Sequence, residues 1–205
     1  MDSPIKSRIK EAVKAYDKIA SLYSKYKYER LMQYQLNNFI SKLPGKKILD
    51  AGCGIGRDTE YFLEENYNPI GIDLSQGMLD EAKKLVPKAV FKKMDFKKTS
   101  FKEKEFDGIW CMASLADIPR DEVNEALKEF NRLLKNKGIL FIATKHGQGE
   151  EIIKKRKYND MPRAYVYYGK IELEDLLKKQ GFQIQHSIIS EDQDKEWLEI
   201  FAKKT

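Results

Sequence analysis

Three alternate glycines, Gly52, Gly54 and Gly56, follow the carboxylate Asp50, and a second carboxylate, Asp73, lies 21 residues beyond the first glycine. Glycine admits backbone shapes closed to other residues and lets the chain approach a ligand closely, so such a loop offers N–H groups to a polar small molecule. A carboxylate can accept from two hydroxyls at once, and about 20 residues is the interval at which an acid meets ribose in open α/β sheets. Dinucleotide loops read G-x-G-x-x-G; here the third glycine falls one place early and Arg57 occupies the dinucleotide position, which argues against a nicotinamide cofactor. His146, after a later apolar run, has the residue type and the place for a base working near neutrality.

These residues need a parallel sheet to bring them together. Lys47 to Asp50 reads as a strand entering the loop, and 58–65 as the helix leaving it, ended by Asn66. Asn68 to Asp73 is a second strand, and Ser75 caps the next helix. Further strands are expected at 89–91, 106–111 and 138–144, with an amphipathic helix through Val123, Leu127, Phe130 and Leu134 closed by 136–138. A helix over 173–179 stopped by Gly181 leads to strands at 182–188 and 197–202, joined by a turn at 192–195. Two helices precede this core, one from a Ser3-Pro4 start to about Lys27 and one over 28–43 stopped by Pro44-Gly45. The stretch 150–169, rich in lysine, arginine and tyrosine, shows the least regular pattern.

The run D-A-G-C-G-I-G at 50–56, taken with Asp73, resembles the first motif of class I S-adenosylmethionine-dependent methyltransferases. Tyr16-Asp17-Lys18-Ile19-Ala20-Ser21-Leu22-Tyr23 is similar to the Y-D-x-I-A-x-x-Y element that opens small members, and F-N-R-L-L-K-N-K-G-I-L-F-I-A at 130–143 again looks like this family. The resemblance implies a Rossmann-like three-layer α/β sandwich, with a mostly parallel seven-stranded sheet, an antiparallel last strand and an N-terminal helical cover. It implies one domain over 1–205, with helices at 1–44, a core at 45–205 and a substrate lid at 147–170. The implied cofactor is S-adenosylmethionine, held by Asp50, Gly52, Cys53, Gly54 and Gly56, by Asp73 and Leu74, and by Met78 against the adenine. Asp95 would meet the adenine amino group with Phe96 beside it, Cys111 ends the fourth strand near the methyl group, and Tyr23 and Tyr16 cover the methionine end. On the acceptor side stand Ser114, Arg163 and Tyr165, with His146 and Tyr16 as the candidate catalytic groups. No N-P-P-Y type motif and no general base follow the fourth strand, where Ala113 and Ser114 stand.

The chain of 205 residues is 41% hydrophobic and 34% charged, with a net charge of +6. No run approaches the roughly 18 apolar residues of a membrane helix, the first residues form no apolar leader, and two cysteines make no disulfide framework; a cytoplasmic protein is expected. No metal site is expected. The lysines are interleaved with acids along helix faces, which describes a solvated surface. The expected partner is a small-molecule acceptor, with RNA as the alternative, drawn by the basic, tyrosine-rich stretch. Neither DNA nor a membrane is expected, and the chain would be a monomer or homodimer. A third reading is a regulator that binds S-adenosylmethionine without turnover.

Overall fold

Neighbouring apolar residues on the central strands face opposite ways, and helices cover both sides, which is why these strands read as near-continuous apolar runs. In the computed structural model, which describes residues 4–25, 32–154, 156–192 and 195–205, Leu49 joins one buried cluster and Ile48 another. Ile109 and Trp110, like Ile142 and Phe141, divide the same way. The expected cap at Ser3, the positions 26–31, Lys155 and the turn residues Gln193 and Asp194 lie outside the described residues.

The elements run α1 (Pro4–Ser24), α2 (Gln33–Ser41), β1 (Lys47–Ala51), α3 (Arg57–Glu64), β2 (Asn68–Asp73), α4 (Gln76–Leu85), β3 (Val90–Lys93) and β4 (Phe106–Met112). Then come α5 (Val123–Leu133), β5 (Leu134–Lys145), β6 (Glu150–Ile153), β7 (Arg163–Val166), α6 (Lys170–Lys179), β8 (Phe182–Asp192) and β9 (Lys195–Lys204). Seven strands form one sheet in the order β3-β2-β1-β4-β5-β9-β8. β9 runs antiparallel to both its neighbours and the other pairs are parallel. Strand order reverses between β1 and β4, and the carboxyl ends of strands at such a reversal are where an open sheet binds ligands.

Leu36 and Phe39 of α2 and Phe62 of α3 pack on one face against Ile48, Trp110 and Phe141. On the other face, Val123, Leu127 and Phe130 of α5 and Leu173 and Leu177 of α6 meet Leu49, Ile109 and Ile142. Gly108 is needed for the close fit of α2, since a Cβ there would stand 2.5 Å from Leu43 and 2.7 Å from Phe39. α1 lies over α4, with Ile19, Ala20 and Met78 buried together.

Two expectations change. The stretch 150–169 is not irregular throughout, because β6 and β7 pair as a separate antiparallel hairpin. Residues 134–137 do not close a helix: α5 stops at Leu133, and Leu134 already pairs with Phe106, the register then slipping before Gly108 meets Ile139. Lys137 takes φ 67° in that bulge. No described helix is long and apolar enough to cross a membrane.

Candidate active site

The glycine loop is fastened to β2. The amides of Gly52 and Cys53 both donate to the Ile72 carbonyl, at 2.8 and 2.9 Å, and Gly54 N–H donates to Asp73 Oδ2 at 2.9 Å. Asp73 Oδ1 accepts from Ser75 N–H at 2.8 Å, so one carboxylate fixes the loop after β1 and the turn after β2. Gly52, Gly54 and Gly56 all have positive φ, between 52° and 79°. At Gly54 a Cβ would meet nothing within 4 Å, so the backbone there borders open space, as close approach of a ligand requires. At Gly52 a Cβ would fall 2.0 Å from Ser114 Oγ.

Asp50 is buried at the end of β1 and accepts from Thr59 Oγ1 at 2.5 Å. Burial first, and Asp58 next, push its carboxyl well above the usual range. Asp58 is held by Trp110 Nε1 at 2.8 Å and by Arg57 Nε at 2.6 Å. Asp58 thus joins α3 to β4 at the centre of the sheet, while Arg57, its neighbour on α3, also lines the cavity.

Across the loop, α1 is clasped to α4. Asp17 Oδ1 accepts from Ser75 Oγ at 2.6 Å and from Gly77 N–H at 2.9 Å, at the helix end where a negative charge is favoured. The clasp sets Tyr16, whose hydroxyl donates to Asp117 Oδ2 at 2.9 Å. Arg163, at the start of β7, is 2% exposed. Its guanidinium carbon lies 5.7, 5.0 and 5.3 Å from the ring centroids of Tyr16, Tyr158 and Tyr165. Tyr23 stacks on Tyr158 at 5.0 Å and meets Tyr16 edge-on at 6.3 Å. At the ends of β5 and β9, Lys145 Nζ sits 3.5 Å over the Trp197 ring.

The loop, Asp73, Tyr16, Tyr23, Arg163 and the Lys145–Trp197 pair border one cavity of about 270 Å³. Asp50, Gly52, Cys53, Gly54, Asp73, Leu74, Met78, Phe96, Tyr16, Tyr23, Ser114, Arg163 and Tyr165 line it. Four expected residues do not. His146 turns toward β9, its N–H donating to the Glu196 carbonyl and its Nδ1 lying 2.9 Å from the Glu196 carboxylate, so it is not placed as a base on the cavity. Asp95 accepts from the Lys97 N–H at 2.9 Å and lies 3.6 Å from its ammonium. Cys111 is buried in the core behind the cavity, and burial pushes its thiol up to about 12. Gly56 caps α3, where a Cβ would collide with Phe91 at 2.6 Å, so its role is packing.

Residues 48–138 match the methyltransferase domain family. That match carries the glycine loop, Asp73 and Asp117, so this part of the chain is similar to the methyltransferase domain family. An uncharacterized methyltransferase of Synechocystis is 30% identical over 118 residues, 58% of this chain and 55% of that protein. The malonyl-[acyl-carrier protein] O-methyltransferase of Hamiltonella defensa is 26% identical over 140 residues, 68% of this chain and 51% of that protein. The chain therefore spans about half the length of these curated relatives. Among solved structures, the 1,6-didemethyltoxoflavin-N1-methyltransferase of Burkholderia thailandensis, with 1,6-didemethyltoxoflavin and S-adenosylhomocysteine bound, shares the fold with TM-score 0.76. It is 23% identical, covering 100% of this chain and 92% of that one.

Several residues of the cavity escape a reading of motifs. Asp117, Tyr158, Lys145 and Trp197 all line it. Asp117 was signalled only by an acid within the turn that follows β4. Tyr158 lies in the basic, aromatic stretch before β7. Lys145 and Trp197 are partners in the β5–β9 register, a pairing that only the folded sheet supplies.

Burial pushes the Asp117 carboxyl up to about 7, against the opposing pull of the Tyr16 hydrogen bond and Arg163. Part of Asp117 borders the cavity, while its Oδ1 is shut off from solvent and has no hydrogen-bond partner. Burial raises the Tyr16 and Tyr165 phenols far above their ordinary range, so both remain protonated donors near neutrality. The Cys53 thiol is raised likewise and stays neutral.

Proposed function

We propose that the protein transfers the methyl group of S-adenosylmethionine to a small-molecule acceptor. The observation that carries this reading is the single cavity running from the glycine loop and Asp73 to Arg163, Asp117 and the tyrosines, so that one space borders a cofactor cradle and a second polar subsite. The residues present suit the cofactor. Gly54 leaves room where any side chain would intrude, and Asp50, Asp73 and Asp117 border the same space, a set of acceptors matched to a ligand with hydroxyls and positive charge. When bound, S-adenosylmethionine supplies a methyl group on a positively charged sulfur.

The chain's own residues bind, orient and exclude water. Asp73, oriented by the Gly54 and Ser75 amides, keeps lone pairs for hydroxyls. Met78 and Phe96 offer apolar surface to a flat ring. Tyr16 and Tyr23 close the cavity from α1, and the β6–β7 hairpin within the 147–170 lid brings Arg163 and Tyr165 to the acceptor. Ser114 shares its proton between the carbonyls of Gly52 and Met112, both at 3.1 Å, and so orients the turn after β4. Holding two reactants in line can supply about 7 kcal/mol or more, so transfer does not require an elaborate set of catalytic groups. A small acceptor also agrees with the bound 1,6-didemethyltoxoflavin of the Burkholderia enzyme.

Calorimetry with S-adenosylmethionine tests the cofactor site. Gly54→Val or Asp73→Ala should weaken binding at least about tenfold, a loss of about 1.4 kcal/mol; unchanged affinity in both variants would sink the assignment. Incubation with labelled cofactor and fractionated metabolites tests turnover. A labelled small product is expected, and cofactor binding without any labelled product would instead favour the regulator.

A further inference from the structure

We infer that the Arg163–Asp117 end of the cavity receives a neutral, flat compound carrying a carbonyl next to a protic N–H, the arrangement of a ring lactam. This rests on the methyltransferase reading and adds the chemical class of the acceptor.

Two side chains at this end are incompletely satisfied. Arg163 is almost wholly buried, and its Nε has no hydrogen-bond partner. Its charge faces three tyrosine rings, whose electron-rich faces ease a cation but do not replace an in-plane acceptor for the guanidinium N–H groups. Asp117 gives Oδ2 to Tyr16 and leaves Oδ1 buried without a partner. Among the described residues the two form no ion pair with each other, although both line the same cavity. Buried polar atoms are nearly always paired, so an unpaired donor and an unpaired acceptor on two side chains that line one cavity mark what a ligand brings.

Charge decides the class. A buried guanidinium opposite a carboxylate leaves little net charge, so an anionic ligand would oppose Asp117 and a cationic one would oppose Arg163, each without solvent to screen the repulsion. A neutral ligand that accepts from Arg163 and donates to Asp117 satisfies both. The rings of Tyr16, Tyr158 and Tyr165 then favour a flat body. Asp73 adds no demand at this end, because its carboxylate is bound into the glycine loop and the turn after β2.

In the transfer, the acceptor nitrogen gives its electron pair to the methyl carbon as that carbon's bond to sulfur breaks. The bonding pair stays with sulfur, which becomes a neutral thioether, and the proton leaving nitrogen passes to the Asp117 carboxylate.

The test uses three flat six-membered rings of different charge, 2-pyridone, benzoate and benzamidinium, titrated by calorimetry into protein saturated with S-adenosylhomocysteine. The wild type should bind 2-pyridone about tenfold more tightly than either ion. Asp117→Asn leaves Arg163 unopposed and should shift the preference about tenfold toward benzoate; Arg163→Met should shift it toward benzamidinium by a similar factor. A structural role for either residue would weaken all three rings alike, with no exchange of charge preference. Benzoate or benzamidinium favoured by the wild type, or a ranking that neither variant moves, overturns the inference, and the wild-type ranking alone decides should a variant fail to fold. Failure of S-adenosylhomocysteine itself to bind would sink the methyltransferase reading, whereas its binding with no order among the rings sinks only the acceptor class. Tighter binding of a uridine-containing single strand than of free uracil would also overturn it, in favour of RNA.

Discussion

Burial makes the Asp117 carboxyl harder to ionise, and this has a cost that depends on pH. Its folded value, pushed up to about 7, exceeds the ordinary 3.8, so between these values the folded chain binds the proton that the unfolded chain has released. The stabilising contribution is complete below about pH 4 and is lost as pH rises through 7. Asp117→Asn removes the titration while keeping the shape. Relative to the wild type, the variant should gain stability as pH is raised from about 4 to 8, on the order of 1–2 kcal/mol, since a tenfold change in proton affinity corresponds to about 1.4 kcal/mol and the residue partly borders open space. Denaturant melts of both proteins across this range measure it. A constant difference between them would mean that Asp117 titrates normally. Asp50, also raised, is present in both proteins and cancels.

At the scale of elements, the clasp between α1 and α4 holds the helix whose Tyr16 and Tyr23 line the cavity. Asp17 is exposed, yet it accepts from Ser75 Oγ and Gly77 N–H, and Gly77 approaches so closely that a Cβ would stand 2.9 Å from the Asp17 carbonyl oxygen. Loss of a helix-end acceptor costs about 1 kcal/mol. Asp17→Ala should therefore weaken S-adenosylmethionine binding by roughly fivefold and raise amide exchange in α1, leaving β1 and β4 protected. Equal exchange in α1 of both proteins would show that Asp17 does not hold the helix. The order of strands and helices was legible in the sequence because both-face burial gives continuous apolar runs and Gly or Pro stops them. The β6–β7 hairpin was not, since its four-residue strands carry charges and exposed Ile152, leaving no period to read. The glycine-loop side of the cavity was legible because a strand, a glycine loop and an acid lie close together in sequence. The Asp117–Arg163 end joins residues 46 positions apart that only the folded hairpin brings to one cavity.

For the whole molecule, the question is whether a net charge of +6 acts on the acceptor. Clustered cations that neutralise phosphates make binding fall steeply with salt, by about 10³-fold or more between about 50 and 200 mM when six or more contacts form. Here many cations are already paired locally: Lys47 with Glu105, Lys84 with Glu81, Arg132 with Glu129, and Lys135 with Asp107, all at 2.6–2.8 Å. Such exposed pairs contribute little to stability, yet each cancels the charge that would attract a polyanion. Arg163, the cation at the proposed acceptor subsite, is buried among tyrosines and beyond the reach of a phosphate backbone that stays in solvent. Binding of a neutral acceptor should therefore change by less than about twofold over that salt range, because no counterions are released and buried charges are screened little. Replacing Lys98 and Lys128, two surface lysines on the border of a separate groove on the α5 side, with glutamate should leave acceptor affinity within the same bound. A steep salt slope that these replacements flatten would show that the surface charge recruits the acceptor, and would transfer the assignment to RNA.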